Sequence, residues 1–187
     1  QRQMCIRDRR RTGRVRMNRI AKFEKVSFEQ FLEGWTDTFG PSDEKKVREI
    51  YGEIKLPRRA TAGSAGYDFF APVELVLRPG ETVKVPTGIR AWMEPEWVLK
   101  CYPRSGLGFK YRLQLNNTVG IIDSDYYYSD NEGHIFAKLT NDTNEEKMVE
   151  VAAGSGFMQG IFVEYGITVD DDVTDVRNGG FGSTTGK

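Results

Sequence analysis

The sequence predicts an all-β fold, a sandwich, jelly roll or barrel of short strands, with a helical pair in front and a glycine-rich arm behind. Two observations carry that expectation. Before Leu56-Pro57 apolar residues recur at helical intervals, and after it they recur at strand-like intervals between Gly- and Pro-marked turns. A chain of 187 residues with 39% apolar and 29% charged content also suits one globular domain with a core of its own.

Residues 1–16 hold seven arginines against one aspartate, a net +6, so the remaining 20 basic and 26 acidic residues carry −6. This leader has no periodicity and stops at Met17, where a patterned sequence begins. It is read as non-native or disordered, with Met17 as the native start. Residues 17–55 read as a helical extension. Ser27 and Gln30 stand at capping-box spacing, and Phe28, Phe31, Leu32 and Trp35 follow on one face. Ser42 is expected to cap a second helix that gathers Val47, Ile50, Tyr51 and Ile54. Aromatic stripes of this kind serve packing far more often than they form a ligand box. Residues 56–176 read as the β domain, with strands over 73–77, 82–86, 88–93, 97–102, 135–140, 148–151 and 157–165 and a turn at Arg78-Pro79-Gly80-Glu81. Residues 177–187 close the chain as a flexible arm rich in Gly, Ser and Thr.

Composition excludes several functions. No apolar run approaches the roughly 18 residues of a membrane span, and the N-terminal charges have no apolar stretch behind them, so neither a membrane partner nor a secretory signal is expected. Cys5 and Cys101 are the two cysteines, which points to a reducing, cytoplasmic setting. With His134 as the single histidine, a zinc site is not expected. The acidic body gives no support for a nucleic-acid partner.

Candidate chemistry lies in five segments. Ala65-Gly66-Tyr67-Asp68 puts a carboxylate beside a Gly that permits close backbone approach. Pro103-Arg104-Ser105-Gly106-Leu107-Gly108 offers a cation, a hydroxyl and bare amides in a turn, a reasonable phosphate cradle. The stretch 117–126 reads Asn-Thr-Val-Gly-Ile-Ile-Asp-Ser-Asp-Tyr. It is expected to reverse at Gly120 as a hairpin and to run on as a strand, with Asp123 and Asp125 on one side and Ser124 and Tyr126 on the other. An accessible backbone with an acid and a ring at one end suits a flat polar ligand on a sugar. The fourth segment is Gly154-Ser155-Gly156-Phe157-Met158-Gln159, and the fifth runs from Arg177 through Phe181, Gly182, Ser183 and Thr184 to Gly186. Each alone is ordinary loop punctuation. The terminal Gly186-Lys187 is no P-loop, because Phe181 stands where its first Gly belongs and no Ser or Thr follows the Lys.

In order, the five segments resemble the five motifs of the trimeric dUTP diphosphatases (dUTPases), over residues 56–186. The helical start and the long stretch after Tyr126 are similar to the type found in Gram-positive bacteria and their phages. The resemblance implies a dUTPase-like jelly-roll or β-clip body, a homotrimer with shared active sites, and hydrolysis of dUTP to dUMP and pyrophosphate with Mg2+. It implies that Asp123 activates the attacking water, that Tyr126 lies under the deoxyribose, and that Asn117, Gly120 and Ile122 read uracil. Arg104, Ser105, Gly106 and Gln159 are implied at the phosphates, and Asp68 at the hydrated metal. Arg177, Phe181, Gly182, Ser183 and Thr184 belong to the implied closing arm. Three departures stand out: residues 127–132 lengthen the loop before Gly133, Ser155 replaces a common Asp, and Thr185 lengthens the arm by one. Two alternatives remain. A deaminase of dCTP on the same fold needs a Glu at the base edge, where this chain has Asp123 and Asp125. A protein-binding regulator of the phage type would use the 127–132 loop.

Overall fold

The structure, a computed structural model, describes residues 18–177 and residue 179. The leader lies outside the described residues, as do Phe181, Gly182, Ser183 and Thr184 of the arm. The all-β expectation holds, and the sheets stay open with no closed barrel among the described residues. No helix there is long and apolar enough to cross a membrane.

The described chain opens on a strand rather than a helix. β1 (Ala21–Lys25) runs antiparallel to β6 (Ile89–Met93), with Ala21 opposite Met93 and Lys25 opposite Ile89. Its own pattern is weak. Pairing, and the packing of Phe23 within 5.3–5.5 Å of Tyr67, Phe69 and Phe162, decide its state. α1 (Phe28–Phe39) begins as expected, the Ser27 hydroxyl accepting the Gln30 N–H at 3.1 Å, and buries Phe28, Phe31, Gly34 and Trp35. α2 (Glu44–Glu53) is capped by Asp43, which accepts the Lys45 N–H at 3.0 Å. The expectation of Ser42 as cap is corrected, because its hydroxyl accepts the Trp35 indole N–H at 3.0 Å instead.

Ten strands complete the body around β6: β2 (Arg58–Arg59), β3 (Tyr67–Phe70), β4 (Leu75–Leu77), β5 (Thr82–Pro86), β7 (Trp97–Pro103), β8 (Leu113–Leu115), β9 (Gly120–Ile122), β10 (Phe136–Asn141), β11 (Val149–Val151) and β12 (Gly156–Glu164). They form a five-stranded sheet β2-β3-β12-β7-β9, a three-stranded sheet β5-β10-β8 and the pair β11-β4. α3 (Ser105–Tyr111) stands where the sequence suggested only a turn. Phe31, Phe69, Leu99, Leu139 and Phe157 are fully buried, so α1 and the sheets share one core.

Gly34 seats α1 on that core. A Cβ there would lie 2.8 Å from both His134 Cε1 and Phe136 Cζ. Alanine normally gains about 1 kcal/mol over glycine inside a helix, but overpacking costs about 1–3 kcal/mol, so the clash should win. Gly34→Ala is expected to lower the thermal midpoint, measured by calorimetry; an unchanged or higher midpoint would refute the seating. His134 itself is wholly buried, its Nε2 accepting the Gly88 N–H at 2.9 Å and its ring 4.2 Å from that of Phe136. The proton therefore sits on Nδ1, which finds no hydrogen-bond partner among the described residues. Cys101 is free and buried, and burial pushes its thiol up to about 12, so it stays protonated and inert.

Candidate active site

The acid-and-ring segment differs from its expected shape. The chain reverses over residues 116–119 with Thr118 at φ 61°, and Gly120 is the first residue of β9 rather than the reversal. β8 pairs with β10 and β9 pairs with β7, so the two flank a gap instead of forming a hydrogen-bonded hairpin. Gly120 is needed for closeness: a Cβ there would approach the Cys101 Cβ to 3.1 Å. Gly120 and Ile122 line, with Asn117, a cavity of about 570 Å³ that Gln30, Glu33 and Gly34 of α1 also line.

The strand does not continue to Tyr126. It ends at Ile122, and Ser124–Tyr128 wind into a 3-10 turn with Asp123 at its start, as Asp and Ser favour. Asp123 and Asp125 nonetheless share a side, because Arg177 bridges them, Nη2 to Asp123 Oδ2 at 2.6 Å and Nε to Asp125 Oδ1 at 2.9 Å. Both carboxylates stay about half exposed, at 49% and 53%. Tyr126 is buried, its hydroxyl donating to the His134 carbonyl at 2.7 Å and accepting from Asn131 Nδ2 at 2.8 Å. Burial raises the phenol above its ordinary value, against the Asn131 bond and the Arg177 charge.

A second cluster gathers at the far end of β7. Arg104 precedes α3, whose first turn leaves the N–H groups of Ser105 and Gly106 without intrahelical partners. Arg104, Ser105, Gly106, Ser155 and Gly156 line a cavity of about 460 Å³. Arg104 Nε stands 3.5 Å from Asp68 Oδ1, and Gln159 lies opposite Asp68 in the β12–β3 ladder. Two glycines keep the floor open, since a Cβ at Gly156 would sit 3.0 Å from Arg104 Nη1 and one at Gly66 2.8 Å from Gln159 Oε1.

The two clusters do not meet within one chain. Ile122, next to Asp123, is opposite Leu99, and Arg104 lies five residues further along. At ~3.3 Å per residue that is about 16 Å of strand. In a single copy the candidate residues therefore fall into two half-sites: Asn117, Gly120, Ile122, Asp123, Tyr126 and Arg177 in one, and Asp68, Arg104, Ser105, Gly106 and Gln159 in the other.

The sequence model of the dUTPase family matches residues 52–185, a span that takes in both half-sites. The chain belongs to the dUTPase family. The deoxyuridine 5'-triphosphate nucleotidohydrolase of Lactococcus lactis subsp. lactis (strain IL1403) is 42% identical over 134 residues, 70% of this chain and 88% of that protein. The namesake in Shewanella loihica (strain ATCC BAA-1088 / PV-4) is 38% identical over 141 residues, 71% of this chain and 88% of that protein. Among solved structures, the dUTPase of Streptococcus mutans aligns with TM-score 0.57 and 36% identity, covering 80% of this chain and 98% of its own. The dUTPase of phage phi11 of Staphylococcus aureus aligns with TM-score 0.56 over 84% of this chain and 97% of its own; at 17% identity the likeness is one of fold.

The residues of this dUTPase-family chain fit a magnesium ion held mostly by substrate. No group of three or more His, Cys, Asp or Glu forms a metal cage among the described residues. Asp68, a single hard carboxylate beside the Arg104 cradle, is what Mg2+ needs when phosphates and water supply the rest. Sequence reasoning missed Asn131 and the α1 wall. Asn131 looks like loop punctuation, and only the fold brings α1 over the gap.

Proposed function

We propose that this chain hydrolyses dUTP to dUMP and pyrophosphate. The observation that carries the reading is the cavity at the gap between β8 and β9, lined by Asn117, Gly120 and Ile122 beside the turn bearing Asp123 and Tyr126. The relative from Lactococcus lactis, named for this hydrolysis, supports it.

Uracil would enter the gap and bond the backbone of Gly120 and Ile122 and the side chain of Asn117. A cytosine edge would leave those groups mispaired. Tyr126 would sit under the sugar and leave no room for a 2'-hydroxyl. Asp123 would take a proton from water attacking the α-phosphorus. Arg104, Ser105, Gly106 and Gln159 would hold the phosphates, with the arm residues Arg177, Phe181, Gly182, Ser183 and Thr184 closing over them. Asp68 would hold Mg2+ through water, and the bound ion supplies charge neutralisation on the triphosphate. Because Asp123 and Arg104 are about 16 Å apart along one chain by strand rise, a complete site needs residues from more than one copy, which favours a homotrimer. Such an enzyme would act in the cytoplasm, limiting uracil incorporation into DNA and supplying dUMP for dTMP synthesis.

Pyrophosphate release with magnesium should occur from dUTP and be at least about a hundredfold slower from dATP, dCTP, dGTP and dTTP. Ammonia release from dCTP, or inert dUTP, would end the reading. The shared site has its own test. Asp123→Asn and Arg104→Ala, each inactive alone, should regain roughly a quarter of parental activity when unfolded together and refolded, the random-pairing share for sites built from two copies. Mixtures that stay inactive would exclude sharing.

A further inference from the structure

Residues 127–132 leave the 3-10 turn and return to β10 with their last two side chains bonded inward. Asn131 Nδ2 donates to the Tyr126 hydroxyl at 2.8 Å, and its Oδ1 accepts the Gly133 N–H at 3.2 Å. Glu132 accepts both the N–H and the hydroxyl of Ser27, the cap of α1, at 2.7 and 2.6 Å. Arg90 stands 3.9 Å from the Glu132 carboxylate, stacks 3.7 Å over the Tyr127 ring and donates to the Tyr127 carbonyl at 2.7 Å. Tyr127 in turn donates its hydroxyl to Glu24 of β1.

The backbone is correspondingly tight. Glu132 has φ 56°, a left-handed conformation that costs about 1–3 kcal/mol for a residue with a side chain. Gly133 has φ 70°, and a Cβ there would collide with Tyr126 O and Tyr127 Cα at 2.8 Å. A loop that only filled surface would not carry this strain. Here it is held by bonds to two partners, the Tyr126 hydroxyl through Asn131 and, through Ser27, the start of α1, which lines the cavity. Asn131 also lines that cavity, as do Gln30, Glu33 and Gly34 of α1.

We infer that Asn131 and Glu132 are positioning residues of the nucleotide site: Asn131 fixes the Tyr126 ring, and Glu132 locks α1 in place as a wall of the base cavity. The N-terminal extension thereby becomes part of the site. This rests on the reading of the cavity as the place of the uracil base. Neither residue stands at the reacting phosphorus in this reading, so their loss weakens binding and selectivity more than turnover.

Two measurements test the inference. In hydrogen–deuterium exchange, Glu132→Ala should speed exchange in α1 and in residues 124–128 together, while β3 and β12 keep their protection. In steady-state kinetics, Asn131→Ala and Glu132→Ala should raise KM for dUTP about tenfold, the equivalent of one lost buried hydrogen bond, with kcat within about threefold of the parent. Asn131→Ala should also raise the kcat/KM of UTP relative to dUTP, and Glu132→Gln, which keeps an acceptor for the Ser27 N–H, should stay near parental values. Faster exchange confined to one of the two segments, or a KM unchanged in both alanine variants, would overturn the inference. A parent inactive on dUTP would sink the proposed function instead, and the exchange result would still decide the coupling.

Discussion

Replacing Asp123 with asparagine is expected to lower dUTP turnover about 10²–10⁴-fold while leaving nucleotide affinity within a few fold. The substitution removes a proton acceptor and almost no volume. An asparagine carbonyl can still accept from Arg177 Nη2, now 2.6 Å from Asp123 Oδ2, so the turn should keep its shape. Asp125 provides the internal comparison. It shares the same arginine, at 2.9 Å, and is as exposed as Asp123. It lies two residues further from the cavity-lining Ile122, so Asp125→Asn should keep activity within a few fold. Steady-state pyrophosphate release, with calorimetric titration of a non-hydrolysable dUTP analogue, reads both quantities. A near-parental rate for Asp123→Asn, or equal losses for the two variants, would remove Asp123 from its role.

The second large effect is on stability in acid. Burial, aided by the nearby Lys84 charge and opposed by Glu132, holds His134 down at about 3 from an ordinary 6.5. The unfolded chain therefore takes up a proton below pH 6.5 that the folded chain refuses until about pH 3. The stability held by the neutral ring is complete above 6.5 and is lost progressively as pH falls toward 3, by a few kcal/mol over that window. His134→Gln keeps an acceptor for the Gly88 N–H and does not titrate. Urea midpoints taken at pH 7.5, 6 and 4.5 should fall more steeply for the parent than for this variant. Parallel curves would show that His134 does not govern the acid limb.

Local chemistry was legible in the sequence and distant pairing was not. The Ser27 cap of α1 and the strand at Thr82–Pro86 appear where propensity and turn residues placed them, because a cap or a Pro-bounded strand is decided by its neighbours. β1 escaped notice because its strand state is set by β6, whose pattern lies over 60 residues away. Ser42 lost its capping role to an interaction with Trp35, seven residues back and invisible to a cap rule. The segment 117–126 was recognised by its composition, yet its shape was misread. A hairpin and a pair of strands in different sheets share the same alternation, and Asp-Ser-Asp breaks a strand into a turn as readily as it extends one. Asn131 and Glu132 carried no signal, since the Glu132 partner Ser27 is 105 residues away in sequence. The phosphate cradle was legible as Arg104, Ser105 and Gly106, but the helix they open was not, because glycines at 106 and 108 argue against one.

The seam between β8 and β9 has a thermodynamic consequence. No backbone ladder stitches these two edges, so along the gap the five-stranded and three-stranded sheets are joined by the 116–119 turn and the shared core alone. A base lodged there would act as a rivet between the two edges. Occupancy would then raise the melting temperature in proportion to the logarithm of nucleotide concentration.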